Sequence, residues 1–322
     1  MSLNKLVKKL KSKDNYIILG HVDPDADCIG SMATMQFILE KINKKSIIFL
    51  EKKPKDNLSF LLEDKNINYN RVNTNKLNWP EYNIICLDSG DKERLGKYGE
   101  QLVNNYYTIN IDHHVDNKKF GDFNYVNSKK AAVGQIVYNI TEELGITVDK
   151  ASGMAIAAAI ISDTGSFRYE NTSAEVLNIT SDLINKGIDL YKVNQYLFGQ
   201  KSFNSTKLKG LALSTLEISK CGKIAWLKVD KKMLQQTESK PEMSSGLVNY
   251  ARDIKGVEVG ICFTYIQKNS TKVSFRSNNF CPVHEIAAKF TGGGHPRAAG
   301  CTINKPLKHS MKNVLNEVKK FV

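Results

Sequence analysis

One histidine and two aspartates lie close together near the start of the chain, within residues 20–31. His21, Asp25 and Asp27 follow the spacing His-x-x-x-Asp-x-Asp. Other acidic and imidazole side chains stand at the ends of later apolar runs: Asp88, then Asp112, His113 and His114, and finally Asp163. Carboxylate oxygens and imidazole nitrogens bind divalent cations in proteins. Two such cations about 3.5–4 Å apart would suit the hydrolysis of a phosphoester.

Each group could serve a different part of a two-metal site. Carboxylates two residues apart in an extended turn tend to point in different directions, so Asp25 and Asp27 could each serve one metal. Asp88 stands alone and is the natural bridge, while His113 could add an imidazole and Asp163 a last carboxylate. A lone aspartate after a strand is more often a helix cap, and paired histidines are more often structural. The combination of all four groups therefore favours a metal site.

The elements that position these residues can be predicted from the apolar runs. Four runs predict strands, namely Tyr16–Leu19, Ser46–Leu50, Tyr82–Leu87 and Tyr107–Ile111. Residues 29–42 have helical length, so the pattern predicts an α/β domain with a parallel sheet. Such sheets bind their ligands at the carboxyl ends of the strands. Asp163 differs, since it follows Gly153–Ser162, an apolar stretch of small residues that predicts a tightly packed helix.

The formal net charge of +13 is unevenly distributed over the 322 residues. Residues 1–203 hold 26 lysines and arginines against 25 aspartates and glutamates, whereas residues 204–322 hold 20 against 8. A domain this basic should attract a polyanion, although a lysine-rich surface without a partner would have the same composition. We expect two domains, 1–185 and 205–322, joined by a linker at 186–204.

The basic C-terminal half contains two features that suit phosphate binding. Three glycines precede His295, and because glycine has no Cβ, the backbone of Gly293 and Gly294 could cradle a phosphate with its amides. Arg276 ends the predicted strand 272–276, and a guanidinium group can bind a phosphate through two hydrogen bonds. A run of glycines alone is more often a turn, and an arginine on a strand often faces only solvent.

The sequence also limits the compartment in which the protein works. No apolar run reaches the ~18 residues of a membrane span, and the N-terminus lacks the hydrophobic core of a signal peptide. We therefore expect a cytoplasmic protein whose six cysteines are reduced thiols in the core. Cys28 lies beside the predicted ligands, but a thiolate suits zinc better than an oxygen-rich site, so we expect it to have little effect.

The four groups of acidic and imidazole residues resemble the motifs of the DHH phosphoesterase superfamily, which includes the RecJ exonucleases and family II pyrophosphatases. These motifs are His21-x-x-x-Asp25-x-Asp27, Asp88, Asp112-His113-His114 and Asp163-Thr164-Gly165. The Gly-Gly-Gly-His stretch resembles the signature of DHH-associated domains. Over essentially its whole length, the chain is similar to bacterial nanoRNase/pAp phosphatases and to stand-alone phosphodiesterases of pApA and cyclic-di-AMP.

The resemblance implies a role for each of these residues. His21, Asp25 and Asp88 would hold one Mn²⁺, and Asp27, Asp88, His113 and Asp163 the other, with Mg²⁺ or Co²⁺ as substitutes. Asp112 would orient an imidazole, and His114 would face the substrate phosphate, so the catalytic set would be Asp88, Asp112, His113 and His114. The implied substrate-binding residues are His114, Asn249, Arg252, Arg276, Gly293, Gly294 and His295.

The resemblance also implies an architecture and an activity. It implies an N-terminal parallel-sheet domain with flanking helices, a smaller α/β C-terminal domain with a mixed sheet, and an active site in the cleft between them. The activity would be Mn²⁺-dependent hydrolysis of very short oligonucleotides and of 3′-phosphoadenosine 5′-phosphate (pAp), releasing 5′-mononucleotides. The partners would be short single-stranded RNA or DNA, dinucleotides such as pApA, and a second copy of the chain in a homodimer.

Two alternatives remain open at this point. A signalling phosphodiesterase of cyclic-di-AMP or pApA would use the same residues, so the sequence scarcely separates it from the first activity. A non-catalytic nucleic-acid-binding protein could use the basic half alone. The complete set of predicted ligands argues against this second alternative, because a protein that has lost its activity should first lose a carboxylate.

Overall fold

The computed structural model describes residues 2–63, 65–69, 81–199 and 201–322, which form two compact units. The first unit spans residues 1–200 and the second spans residues 201–322. Within the described residues, each unit contains one six-stranded sheet and its own buried apolar clusters. The predicted α/β fold, with a parallel sheet in the first unit and a mixed sheet in the second, is confirmed.

The sheet of the first unit is parallel and is built outward from its centre. Its strands are β1 (Tyr16–Leu19), β2 (Ser46–Leu50), β3 (Ile67–Tyr69), β4 (Asn83–Leu87), β5 (Tyr107–Asp112) and β6 (Phe123–Val126), in the order β3-β2-β1-β4-β5-β6. The chain moves from β1 to β3 and then returns to β4 on the other side of β1. This reversal opens a crevice outside the carboxyl ends of β1 and β4, where sheets of this kind bind ligands.

Helices cover the sheet of the first unit. They include α1 (Leu3–Ser12), α2 (Ala26–Lys41), α3 (Gly96–Asn105), α4 (Val133–Leu144), α5 (Lys150–Asp163), α6 (Ala174–Asn185) and α7 (Leu190–Phe198). The helices α2 and α5 pack very closely, since a Cβ at Gly30 would lie 2.4 Å from the carbonyl oxygen of Ala155. The small residues of both helices permit this approach, which brings the start of α2 beside the end of α5.

The stretch 186–204, which we predicted as a linker, is largely helical. The helix α7 buries Val193 and Leu197 in the core of the first unit, one helical turn apart on the same face. The next helix, α8 (Phe203–Leu213), belongs to the second unit. The first compact unit therefore extends through α7 to residue 200.

The second unit has a mixed sheet with helices on both faces. Its elements after α8 are β7 (Glu217–Ile218), β8 (Ile224–Val229), α9 (Lys231–Gln236), α10 (Val248–Arg252), β9 (Val259–Gln267), β10 (Ser270–Ser277), α11 (Val283–Ala288), β11 (Gly293–His295), β12 (Ala298–Ile303) and α12 (Leu307–Val318). The sheet order is β11-β12-β10-β9-β8-β7. Among the described strands of this second sheet, only β8 and β9 pair in parallel.

A buried glutamate fixes the loop that follows β10. Glu258 is 2% exposed, and its carboxylate accepts hydrogen bonds from the backbone amides of Asn279, Phe280 and Cys281 at 2.8–3.1 Å. Burial alone would raise the pKa of Glu258, but these amides stabilise the carboxylate and hold the pKa below its usual value. The carboxylate thus ties the end of β10 to the start of β9.

Replacing Glu258 with glutamine should destabilise the protein in a pH-dependent way. A group whose pKa is depressed by folding contributes stability above its unfolded pKa of about 4.3, and this contribution is lost as the pH falls through the folded value. At pH 7 we expect Glu258→Gln to lower the free energy of unfolding by about 1–3 kcal/mol. Urea titrations at pH 7 and pH 3.5 would measure this, with exposed Glu285→Gln as control. An equal loss at both pH values would contradict the prediction.

All six cysteines are free thiols in the structure. Five of them are buried, as expected for small core residues, whereas Cys221 is exposed. Among the residues that the structure describes, no helix is both long enough and apolar enough to cross a membrane.

Candidate metal centre and candidate substrate residues

The strands β1 and β4 lie side by side, and a predicted ligand follows each of them. His21 stands two residues after β1, and Asp88 follows β4 directly. Their side chains meet, with His21 Nε2 3.5 Å from Asp88 Oδ2. Burial, together with the positive charges of Arg94 and His114, lowers the pKa of His21. The imidazole is therefore neutral near pH 7 and can offer a lone pair to a cation.

Asp88 adopts an unusual backbone conformation at this crevice. Its φ angle is 56°, in the left-handed region that few residues other than glycine adopt. The side chain is buried, and its Oδ1 atom has no hydrogen-bond partner among the described residues. Strain and an unpaired buried oxygen both cost stability and are typical of functional sites. They indicate that Asp88 Oδ1 is placed for a ligand.

His113 lies at the centre of three carboxylates. Its Nε2 atom is 3.8 Å from Asp27 Oδ2, 3.6 Å from Asp88 Oδ1 and 3.4 Å from Asp163 Oδ2. On the other side of the ring, Nδ1 lies 3.2 Å from the carbonyl oxygen of Lys130. A carbonyl oxygen can only accept, so Nδ1 carries a proton, and in the neutral ring the lone pair lies on Nε2, which faces the carboxylates. This is the tautomer that a metal-binding histidine requires.

Asp27 is held rigidly by the start of α4. Its carboxylate accepts hydrogen bonds from the amides of Val133 and Gly134, at 2.7 and 2.8 Å, and from the hydroxyl of Ser31 at 3.1 Å. A Cβ at Gly134 would lie 2.3 Å from Cβ of Ala159 on α5. The glycine therefore lets α4 approach α5 closely enough to offer its first amides to Asp27. Exposed backbone amides at a helix N-terminus stabilise a negative charge.

The carboxylates of this cluster repel one another. Burial raises the pKa values of Asp88 and Asp163 well above the usual range, and the charges of neighbouring carboxylates raise them further. Burial also raises the pKa of Asp27, to about 6. A divalent cation would offset this repulsion, and oxygen-rich donor sets favour hard ions such as Mg²⁺ and Mn²⁺. The residues present thus fit a divalent metal.

Asp112 and His114 form a buried pair beside the cluster. His114 Nδ1 lies 2.7 Å from Asp112 Oδ1, and Asn117 donates a hydrogen bond of 2.6 Å to the other oxygen, Oδ2. Burial alone would lower the pKa of His114, but the hydrogen bond and charge of Asp112 raise it. The same pairing lowers the pKa of Asp112. His114 is therefore biased towards its cationic form and keeps a fixed ring orientation.

Five of the predicted ligands fall into groups of ligand atoms, and the charge of the sixth, Asp25, acts on His21, Asp88 and Asp163. The ligand atoms form three overlapping groups, and within each group all atoms lie within 4.8 Å of one another. The groups are His21, Cys28 and Asp88; Asp88, His113 and His114; and Asp27, His113 and Asp163. Asp25 is exposed and caps α2, its Oδ1 accepting from the amides of Asp27 and Cys28. Cys28 is fully buried and, through burial, has a raised thiol pKa, so it is neutral near pH 7.

Sequence reasoning missed three contributions to this site. Asn117, the carbonyl of Lys130 and the amides that begin α4 orient the predicted residues without belonging to any motif. Asn117 lies five residues after Asp112, and the pattern gave no reason to single it out. The backbone amides and the carbonyl group cannot be recognised from the sequence, because residue types describe only side chains.

In the second unit, two predicted substrate residues share one row of the sheet. Arg276 on β10 and His295 on β11 both pair with Ala298 on β12. Paired residues of antiparallel strands project to the same face, so the arginine and histidine flank the alanine about 10 Å apart. On the other side of Arg276 lies Gly260, where a Cβ would be 2.4 Å from the backbone nitrogen of Arg252.

Two further predicted residues, Asn249 and Arg252, lie on α10, at the same end of the sheet. Arg252 lines a cavity of about 540 Å³ together with Asn278, Asn279 and Phe280, and its guanidinium contacts Asp253 at 2.7 Å. Asn249 is not among the described residues that line this cavity. Its Oδ1 atom is buried without a hydrogen-bond partner among the described residues.

The three glycines before His295 have different surroundings. A Cβ at Gly292 would lie 2.3 Å from the carbonyl oxygen of Gly300, and a Cβ at Gly294, where φ is 141°, would lie 2.5 Å from that of Ala298. At Gly293, by contrast, no described atom lies within 4 Å of the added Cβ. Gly292 and Gly294 are therefore needed for the close approach to β12. Of these three glycines, only Gly293 faces open space.

Alanine substitutions should separate these two roles. Gly294→Ala forces a side chain into strained backbone and against β12, so we expect a loss of about 2–4 kcal/mol in the free energy of unfolding. Gly293→Ala should cost less than about 1 kcal/mol, but should raise KM about tenfold if a phosphate approaches this backbone. Urea unfolding and steady-state kinetics of both variants would test this. An unchanged KM in Gly293→Ala would contradict the second part.

Comparison with known proteins identifies the class to which this fold and site belong. The DHH family, N-terminal domain, matches residues 15–162, and the DHHA1 domain matches residues 223–322. The bifunctional oligoribonuclease and PAP phosphatase NrnA of Thermus thermophilus is 31% identical over 314 residues, which cover 96% of this chain and 91% of that protein. The chain therefore belongs to the DHH family and is a hydrolytic enzyme of the phosphoesterase type.

Other relatives agree with this assignment. The bifunctional oligoribonuclease and PAP phosphatase NrnA of Bacillus subtilis is 26% identical, covering 93% of this chain and 92% of that protein. The fold closely matches an exopolyphosphatase-related protein from Bacteroides fragilis, with a TM-score of 0.91, 24% identity, and coverage of 99% of this chain and 96% of that one. It matches RecJ in complex with Mn²⁺ from Thermus thermophilus less closely, with a TM-score of 0.52, 13% identity, and coverage of 99% and 54%.

Proposed function

We propose that the protein is a metal-dependent phosphoesterase that hydrolyses pAp and very short 5′-phosphorylated oligonucleotides, releasing 5′-mononucleotides. The observation that carries the metal dependence is the position of His113, whose Nε2 lies 3.4–3.8 Å from oxygens of Asp27, Asp88 and Asp163. The substrate class is supported by relatives named as oligoribonucleases and PAP phosphatases, which align with nearly all of the chain.

The proposed cofactor is a pair of Mn²⁺ ions, with Mg²⁺ or Co²⁺ as substitutes. His21, Asp25 and Asp88 would hold one ion, and Asp27, Asp88, His113 and Asp163 the other. Such ions supply a hydroxide nucleophile near neutral pH and neutralise charge on the phosphoryl group. The unpaired Oδ1 of Asp88 and the raised carboxylate pKa values both fit a cation at this position.

The side chains around the ligands prepare the site for a phosphate. Asp112 raises the pKa of His114 and fixes its ring, so the imidazolium form could donate a charge-assisted hydrogen bond to a phosphoryl oxygen. Lys130 holds His113 in one tautomer through its carbonyl group. Because these contacts exist before substrate binds, little reorganisation is needed during the reaction, which favours catalysis.

The second unit would hold the far end of the substrate. Arg276 and His295 project from the same row of the sheet and could bind the terminal phosphate from two sides. Backbone amides near Gly293 could add hydrogen bonds, since no described atom lies where its Cβ would be. Binding of a terminal phosphate at these residues would favour substrates that carry one.

One comparison of substrates would test the proposal. The full-length protein with Mn²⁺ is supplied in parallel with pAp, pApA, a five-residue RNA and cyclic-di-AMP, and mononucleotide release is measured. We expect turnover of the first three, with kcat/KM for cyclic-di-AMP at least about tenfold lower. Asp88→Asn serves as the inactive control.

Two outcomes would contradict the proposal. A clear preference for cyclic-di-AMP would favour the signalling phosphodiesterase, which would use the same metal ligands. Tight binding of the RNA without turnover, with Mn²⁺, Mg²⁺ or Co²⁺, would favour the non-catalytic nucleic-acid-binding protein.

A further inference from the structure

A second basic region lies in the C-terminal unit, away from Arg276 and His295. It is a cavity of about 590 Å³, a size typical of pockets for small organic ligands. In the part of the chain that the structure describes, its lining contains the four lysines Lys228, Lys231, Lys268 and Lys308, and one acidic residue, Asp230. Asp230 already accepts a hydrogen bond from the backbone at the start of α9. The cavity therefore carries a strong positive charge.

The interior of this cavity is apolar. Tyr265, Leu307 and Met311 contribute to its lining and are half-buried, whereas Lys231, Lys268 and Lys308 are exposed. An inorganic anion would use only the lysines. A ligand that carries both a phosphate and a flat apolar ring would use the lysines and the tyrosine, which can stack on a nucleobase.

The helix α12 strengthens the case for an anion. It begins at Leu307, directly in the lining of the cavity, and among the described residues no side chain caps its N-terminus. Its first turn contains no acidic residue. The first amides of a helix and the positive end of its dipole attract phosphate groups. Alone this would not define a site, but here it adds to the charge of the four lysines.

The strand register places this cavity far from the row of Arg276. Arg276 pairs with Gly260 at the start of β9, whereas Tyr265 lies five residues further along that strand. At about 3.4 Å per residue, the two positions are roughly 17 Å apart. A mononucleotide cannot contact both. The cavity would thus be a binding site of its own.

We propose that the cavity lined by Lys228, Lys268, Lys308 and Tyr265 binds a nucleoside monophosphate, either free or as one unit of an RNA strand. The phosphate lies among the lysines and the N-terminus of α12, and the base lies against Tyr265. This site is distinct from the one that holds the reacting phosphate, and it does not depend on the metal centre.

Isothermal titration of the metal-loaded, full-length protein with AMP would test this site. We expect two AMP molecules per chain, one of which is lost or at least about tenfold weaker in the double variant Lys228→Glu, Lys268→Glu. Hydrolysis of pAp should stay within about twofold of the parent. The matched control is Lys220→Glu, Lys312→Glu, which makes the same charge change at exposed positions outside the cavity.

Further variants keep the proposal falsifiable. If charge reversal perturbs folding, Lys228→Gln with Lys268→Gln replaces it, and Tyr265→Ala should weaken AMP but not inorganic phosphate. A five-residue RNA is titrated in parallel in EDTA, so that it is not hydrolysed, and distinguishes the two sources. Weaker binding of AMP alone identifies the free nucleotide, and weaker binding of both identifies a unit of the strand. A single AMP site that Arg276→Ala removes and the lysine variants leave unchanged would overturn the proposal. Equal effects of the cavity and control pairs would also overturn it.

Discussion

Replacing Asp88 with asparagine is expected to abolish hydrolysis and, at the same time, to stabilise the metal-free protein. The substitution keeps the shape of the side chain but removes the carboxylate that contacts both His21 and His113. Without it, neither proposed ion would keep its shared ligand. We expect kcat to fall by about 10⁴-fold, because metal-assisted hydrolysis loses several kcal/mol of transition-state stabilisation.

The gain in stability follows from the raised pKa of Asp88. Burial and the neighbouring carboxylates hold this pKa well above its unfolded value, so the folded state binds the proton more tightly than the unfolded state. Stability is then lost as the pH rises through the folded pKa. At pH 8, in the presence of EDTA, Asp88→Asn should therefore be more stable than the parent, by about 1–3 kcal/mol.

Manganese should make the parent more stable than Asp88→Asn. At a concentration of about one hundred times its Kd, a bound ion stabilises the parent by about 2.7 kcal/mol, and Asp88→Asn should lose most of this effect. Thermal unfolding at pH 8 with EDTA and with Mn²⁺ would measure both quantities. The exposed Asp116→Asn makes the same charge change in the nearby loop after β5 and should behave like the parent. Equal stabilisation of both variants by Mn²⁺ would contradict the proposed site.

Much of this centre could be predicted from the sequence because its ligands follow apolar runs. The strands β1, β4 and β5 lie where those runs predicted them, and parallel strands must end at the same edge of the sheet. His21 and Asp88 were therefore expected to meet. The small residues of Gly153–Ser162 also predicted a tightly packed helix, and α5 packs closely against Gly30 of α2.

The contacts that orient these ligands could not be predicted in the same way. Asp27 binds the amides of α4 more than one hundred residues further along the chain, and backbone amides are alike in every sequence. The edge strand β11 and its neighbour β12 were missed because glycines suggested a loop, whereas Gly292 and Gly294 allow close approach to β12. Periodicity reports local structure, but these features depend on tertiary contacts.

The capping role of Asp25 could not be predicted from the spacing of the motif. The motif places Asp25 beside Asp27 in sequence, yet only Asp27 lies in a group of ligand atoms with His113. Asp25 is a strong N-cap because its carboxylate accepts two amide hydrogen bonds. Both of these hydrogen bonds use Oδ1, so they leave Oδ2 of Asp25 for the proposed ion.

Asp112→Asn should show that a residue which touches no proposed ion can still control the rate. Asparagine can replace one hydrogen bond to His114 Nδ1, but not the negative charge that raises the pKa of the imidazole. We expect kcat to fall about 10–100-fold, the range typical of residues that orient a metal site. Affinity for Mn²⁺ should change much less than in Asp88→Asn, because the carboxylates around His113 remain.

The pH profile would identify the cause of this loss. In the parent, Asp112 keeps His114 protonated to a higher pH, so activity that needs the cation persists until the pH passes the raised pKa. Removing the charge lowers that pKa, and the alkaline limb of the kcat/KM profile should move to lower pH. Asn117→Ala keeps the charge of Asp112 but removes a hydrogen bond to its Oδ2, along with contacts to Ser89, Asn110 and Lys119, and should shift the alkaline limb less. If the alkaline limb stays in place while kcat falls, Asp112 acts through ring orientation alone and the cationic role of His114 is wrong.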